Sequence, residues 1–120
     1  MSVKILKLDE VEPIKVLGGT IKRMFTQETA DTRHLTFSVG YFSPEEGLQA
    51  HVHPESEEVY YVIRGRGTVY LGKEKRPLLV DPDMAIYIPP KMIHCVKNTG
   101  EERLVIAFFV APGKEQSEII

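Results

Sequence analysis

A chain of 120 residues with 15 basic and 17 acidic side chains, formal charge -2, has room for one domain and one core. The charges are mixed along the chain without a basic stripe, which excludes the footprint of a nucleic-acid or anionic-lipid binder and leaves small molecules as expected partners. Cys95 is the single cysteine, so no intrachain disulfide forms, and the longest uncharged apolar run, 104–111, is too short to span a bilayer.

From the start, Lys4 and Lys7 interrupt the apolar residues before a secretory segment can build, and a cytoplasmic protein is expected. No segment then holds a 3.6-residue apolar period over three turns, whereas short alternating or β-branched runs recur. Strands are predicted over 3–7, 20–25, 34–42, 49–52, 58–64, 67–71, 76–80, 85–88, 93–97 and 103–110. Turn residues separate them: Gly18-Gly19, Ser43 to Gly47, Gly72 to Lys75, Asp81-Pro82-Asp83, Pro89-Pro90 and Asn98-Thr99-Gly100. This is an all-β pattern of sandwich or barrel type. In the last strand both faces are apolar, Leu104, Ile106, Phe108 and Val110 on one and Val105, Ala107 and Phe109 on the other. One barrel offers one interior, so the second face is expected to be hidden in a homodimer. The polar tail from Gly113 to Glu118 is expected to be loose.

Within this pattern His51 and His53 lie two apart on an extended stretch and therefore point to one face. Glu58 opens the next strand and His94 sits in a later one, so three stretches can aim three imidazoles and one carboxylate at one point. His-x-His alone is more often a packed or solvated pair; its register with Glu58, Gly65 and His94 turns it into a ligand set for one divalent transition metal, iron, manganese, nickel, zinc or copper. Glu58 is chosen over Glu57 because it shares a face with Tyr60 and Val62, which leaves Glu57 to solvent.

Gln49, in phase with His51 and His53, is a candidate to hydrogen-bond a substrate. Tyr60, in phase with Glu58, is a candidate for the cavity wall, and Lys91 is a candidate cation for an anionic substrate at the mouth. Ordinary barrel packing accounts for Tyr60 equally simply, and a solvated surface lysine is the simpler reading of Lys91. Asn98 is read chiefly as a turn former, Met92 as an adaptable gap-filler, Cys95 as a buried thiol on the opposite face, and His34 as lying outside the site.

The spacing His51-Val52-His53, four residues, Glu58, six residues, Gly65, followed by Pro89, His94 and Asn98 in register, resembles the two motifs of the cupins. Asp83, Lys91 and Glu45 stand where those motifs carry glycine, with Gly47 two residues after the last. The resemblance, strongest over 42–98 of a single domain 1–120, implies a small double-stranded β-helix or jelly-roll barrel of the microbial type, with metal ligands His51, His53, Glu58 and His94. Six-coordination would leave two positions open, and dioxygenation of a small polar organic molecule is the first expectation. A redox-neutral isomerase or decarboxylase of a phosphosugar- or carboxylate-like substrate, with Glu57, Tyr60 or Lys91 as acid or base, is the alternative. A non-catalytic small-molecule-binding module is the third. Because each imidazole must be neutral to bind, metal is expected to leave below about pH 6.5.

Overall fold

Runs of β-branched and aromatic residues between turn residues become strands, and the twist of two such sheets lets them close over one interior. The computed structural model describes residues 3–113 and 118–119. Its strands are β1 (Ile14–Val16), β2 (Gly19–Phe25), β3 (Thr36–Phe42), β4 (Gly47–Val52), β5 (Glu57–Arg64), β6 (Gly67–Leu71), β7 (Arg76–Val80), β8 (Ala85–Ile88), β9 (His94–Lys97), β10 (Leu104–Ala111) and β11 (Glu118–Ile119). One helical turn, α1 (Gln27–Ala30), follows β2 and is capped by the Thr26 hydroxyl, which accepts from the Thr29 N–H. Among the described residues the strands form two antiparallel sheets, ordered β1-β2-β3-β10-β5-β8 and β11-β4-β9-β6-β7.

The inner faces of the two sheets meet in a core of Phe42, Tyr60, Val62, Val69, Ile88, Val96, Leu104 and Ile106, each almost fully buried. Register sets where this core stops. At one end of β10, Leu104 lies opposite Phe42; at the other, Val110 lies between Thr36 and Glu58. The barrel is thus filled with hydrocarbon at the first end and lined with polar groups at the second.

The doubly apolar β10 is covered on its outer side in part by the chain itself. Val11, from the segment before β1, packs with Met24, Val39 and Val105 in a second small cluster. Phe109, further along the same face, is 44% exposed. The second face is therefore shared between the N-terminal segment and an open patch, rather than being wholly left for another subunit.

Turn geometry survives the loss of the motif glycines. Glu45, Asp83 and Lys91 all hold positive φ, at 78°, 71° and 70°. A side chain there costs on the order of 1 kcal/mol, least for aspartate, and the surrounding ladder sustains it. Gly65 keeps its glycine for two reasons: its φ is +83°, and a Cβ there would lie 2.2 Å from the Arg103 carbonyl oxygen.

Residues 3–7 form no strand; Val3 and Ile5 are 90% and 85% exposed, and a 3-10 turn, Leu8–Glu10, follows. Alternation without a strand edge to pair with does not hold that segment in a sheet. Two strands were not anticipated: β1, which pairs with β2, and β11, which pairs with β4 inside the tail expected to be loose. The remainder of that tail, 114–117, lies outside the described residues.

Candidate metal centre

Period-two alternation carries His51 and His53 to the inner face at the end of β4, and His94 pairs with His51 across the β4–β9 ladder. Glu58 arrives from β5 in the other sheet. The four residues are all buried, and one ligand atom from each lies within 4.8 Å of every other. Glu58 Oε1 is 3.0 Å from His94 Nε2 and 3.2 Å from His53 Nε2, while the His51 and His94 rings lie tilted at 58° with centroids 4.2 Å apart.

The second nitrogen of two rings is already engaged. His51 Nδ1 lies 2.7 Å from the Gln49 carbonyl oxygen and His94 Nδ1 lies 2.8 Å from that of Met92. Carbonyl oxygens only accept, so Nδ1 bears the hydrogen and Nε2 keeps a lone pair facing inward whenever the ring is neutral. A carboxylate oxygen also only accepts, so two acceptors 3.0 Å apart at His94 and Glu58 require a cation with them, either a proton or a metal ion. Three imidazoles and a carboxylate are the donors that iron, manganese, nickel, zinc and copper accept, and the residues fit such an ion.

Electrostatics favour the ligating form. Burial, then neighbouring His94, pushes the His51 imidazole down to about 4, so it stays neutral at ordinary pH. Burial alone would raise the Glu58 carboxyl, yet hydrogen bonds from His53 and His94 outweigh it and hold the group below its usual value. The acid limit for ligation near 6.5 therefore lies lower at His51.

A stability consequence follows with a definite sign. The folded state refuses a proton that the unfolded chain binds, so the metal-free protein loses stability as pH falls from about 6.5 toward about 4, at up to about 1.4 kcal/mol per pH unit. Urea titrations of wild type and His51→Gln across that window are expected to give a shallower slope in the variant. Equal slopes would contradict the assignment.

The cluster forms one wall of a pocket of about 500 Å³, to which Glu58, His51 and His53 contribute together with Arg23, Ser38, Leu48, Phe108 and Val110. Three candidates from the sequence lie elsewhere. A register irregularity between Leu48 and His51 breaks the alternation, so Gln49 is exposed and Leu48 lines the pocket instead. What Gln49 contributes is backbone: its carbonyl orients His51 and its N–H donates to the Leu17 carbonyl at 2.8 Å.

Tyr60 is fully buried beneath the site, edge-on to Phe108 at 4.7 Å, with its hydroxyl unpartnered among the described residues and its pKa raised chiefly by burial. It does not line the pocket. The Lys91 side chain is exposed, but its N–H donates to the His53 carbonyl at 2.8 Å, which ties the His94 loop to β4. Glu57 is exposed and accepts from the Tyr87 hydroxyl at 2.7 Å, as its solvent-facing phase implies.

Asn98 is a structural residue. Its amide donates to the carbonyls of Phe42 at 2.8 Å and Glu102 at 2.7 Å, and its oxygen accepts from Gly100. His34 is exposed and Cys95 is half-buried, its thiol raised mainly by burial. The residues that sequence reasoning missed are Arg23 and Ser38. Their only signal was phase: Arg23 two residues from Ile21, and Ser38 with Thr36 on a polar face of β3.

Comparison with known proteins agrees with this geometry. The family described as Cupin domain matches residues 38–111. Polyketide synthase CurC of Streptomyces cyaneus is 31% identical over 112 residues, which cover 93% of this chain and 71% of that protein. A putative glucose-6-phosphate isomerase 1 of Rhizobium meliloti is 37% identical over 84 residues, 64% of this chain but 37% of that protein. The solved structure of polyketide cyclase RemF from Streptomyces resistomycificus superposes with a TM-score of 0.82 at 20% identity, covering 99% of this chain and 86% of that one.

Proposed function

This chain belongs to the cupin domain family and has its double-stranded β-helix fold, and on that premise we propose a mononuclear metalloenzyme acting on a small oxygenated organic molecule. His51, His53, Glu58 and His94 hold one divalent transition ion. The observation that carries the reading is the convergence of four buried donors, three of them on the wall of a pocket large enough for a substrate. When bound, the ion supplies Lewis acidity toward substrate oxygens and, for redox-active metals, access to O₂.

The chain's own residues supply position and dryness. Leu48, Phe108 and Val110 keep water from the substrate's hydrocarbon, and the Ser38 hydroxyl and Arg23 guanidinium offer donors to its oxygens. Redox-neutral chemistry on a polyketide-like carbonyl compound is the reading we favour over the dioxygenation expected first. The relatives' names support it: a polyketide synthase, a polyketide cyclase and a sugar-phosphate isomerase. Glu57, Tyr60 and Lys91, the acid or base candidates from the sequence, do not line the pocket.

Dioxygenation stays as the second reading, because the same lack of an acid or base at the cluster suits a reaction that needs none. The deciding experiment incubates protein loaded in turn with iron, manganese, nickel, zinc and copper with β-keto acids and β-diketones, under argon and in air, followed by mass spectrometry. Turnover under argon supports redox-neutral chemistry. Oxygen-dependent products support dioxygenation, and binding without turnover points to a non-catalytic module.

We also infer a homodimer through the outer face of the larger sheet. Register lines up Phe37, Phe109, Val59 and Tyr87 as one row across β3, β10, β5 and β8, with Leu35 and Tyr61 beside it. Phe109, Leu35 and Tyr87 are 44%, 48% and 57% exposed, a contiguous apolar patch suited to a two-fold contact. Light scattering should give twice the chain mass for wild type and the chain mass for Phe109→Asp. A wild type of single-chain mass at high concentration would refute the dimer.

A further inference from the structure

Resting on the pocket reading above, we propose that Arg23 and Ser38 form an anion subsite, and that the substrate is an elongated, mostly apolar molecule with a carboxylate at the end remote from the metal ligands. Strand register places the parts. Arg23 on β2 pairs with Ser38 on β3, Ser38 with Phe108 on β10, and Phe108 with Tyr60 on β5; in the adjoining row Thr36 pairs with Val110 and Val110 with Glu58. Arg23 and Glu58 therefore stand three strand spacings apart, about 14 Å along the sheet.

Between those ends the pocket is lined by Phe108 and Val110, with Ile21 on the same sheet and Leu48 on the other. Those four side chains suit hydrocarbon, while Thr26, Gln27, Glu28 and Thr29 line the pocket around α1. At the far end the guanidinium of Arg23 has no carboxylate within ion-pairing distance and no hydrogen-bond partner among the described residues. The other acids on the pocket do not neutralise it: Glu58 is engaged by His53 and His94, and Glu28 on α1 makes no pair with it.

Ser38 is 6% exposed, and its hydroxyl, unpartnered among the described residues, is not one of the polar atoms sealed from the pocket. The planar donor fork of the exposed Arg23, paired across the strands with the buried Ser38 hydroxyl, matches the two oxygens of a carboxylate.

The test uses 2-naphthoate and its neutral isostere 2-naphthamide, titrated by fluorescence into zinc-loaded and metal-free protein. Wild type should prefer the carboxylate about tenfold in both forms, because Arg23 and not the metal carries the preference. In Arg23→Gln the preference should fall to within about twofold; Arg23→Lys should keep part of it, and Ser38→Ala should lose about two- to threefold. Zinc content and melting temperature, measured on the same samples, should match wild type.

A preference that Arg23→Gln leaves intact, or that exists only with zinc bound, overturns the subsite and puts the carboxylate on the metal. No zinc uptake by wild type refutes the metal centre instead, and the preference in metal-free protein still decides the role of Arg23.

Discussion

Glu58→Gln is expected to weaken divalent-metal binding by more than about a hundredfold while leaving the stability of the metal-free protein within about 1 kcal/mol of wild type. The two halves of that expectation have one cause. Glu58 faces His94 Nε2 at 3.0 Å and His53 Nε2 at 3.2 Å, and in the metal-free protein a proton must occupy the space between acceptors. Glutamine keeps the shape, removes a buried charge and offers an N–H to a neutral imidazole, so the fold loses little. The ion loses its one anionic ligand. Melting curves with and without zinc check both halves: wild type should gain roughly 3 to 4 kcal/mol at a metal concentration 100 to 1,000 times its Kd, and the variant should gain almost nothing. A variant that loses several kcal/mol without metal and still binds it would mean that Glu58 serves a structural ion pair.

Asn98→Ala is expected to have the largest effect on the fold outside the core, a loss of about 2–4 kcal/mol and roughly 10 °C in melting temperature. Asn98 is 1% exposed and satisfies the carbonyls of Phe42 and Glu102 and the N–H of Gly100. Alanine strands three backbone groups where β3 meets the turn between β9 and β10. Its own N–H also donates to the Glu46 carbonyl, so the backbone at this point ties two loops together. Denaturant unfolding would measure the loss; a change below about 1 kcal/mol would show that water replaces all three bonds.

The four-residue cluster could be read from the sequence because its logic is local. Alternation puts His51 and His53 on one face, Glu58 follows after one short turn, and His94 opens a later strand, β9. The same rule failed at Gln49, where an irregular register in β4 carries the side chain out and Leu48 in. Such a slip leaves no mark in residue type. It also failed at residues 3–7, where alternating Val3 and Ile5 find no partner strand.

The pocket beyond the ligands was illegible for a different reason. Arg23, Ser38, Phe108 and Glu58 are brought into adjoining rows only by the order β2-β3-β10-β5, and nothing in the separate strands specifies that order. The three positions where Glu45, Asp83 and Lys91 replace the motif glycines mark the opposite case: the residue types change, yet the backbone keeps positive φ at all three. Loop hydrogen bonds, such as Lys91 N–H to the His53 carbonyl, outweigh the local steric cost. Similarly, the doubly apolar β10 suggested a buried second face, and the chain's own Val11 supplies part of the cover.

X-ray absorption at the zinc edge on dialysed, zinc-loaded protein tests the central claim most directly. The account predicts one zinc per chain in a shell of three imidazole nitrogens and carboxylate oxygen at about 2.0–2.2 Å, with the imidazole scattering reduced by one ring in His94→Ala. Zinc lost on dialysis, or a shell of oxygen alone that His94→Ala leaves unchanged, would contradict it.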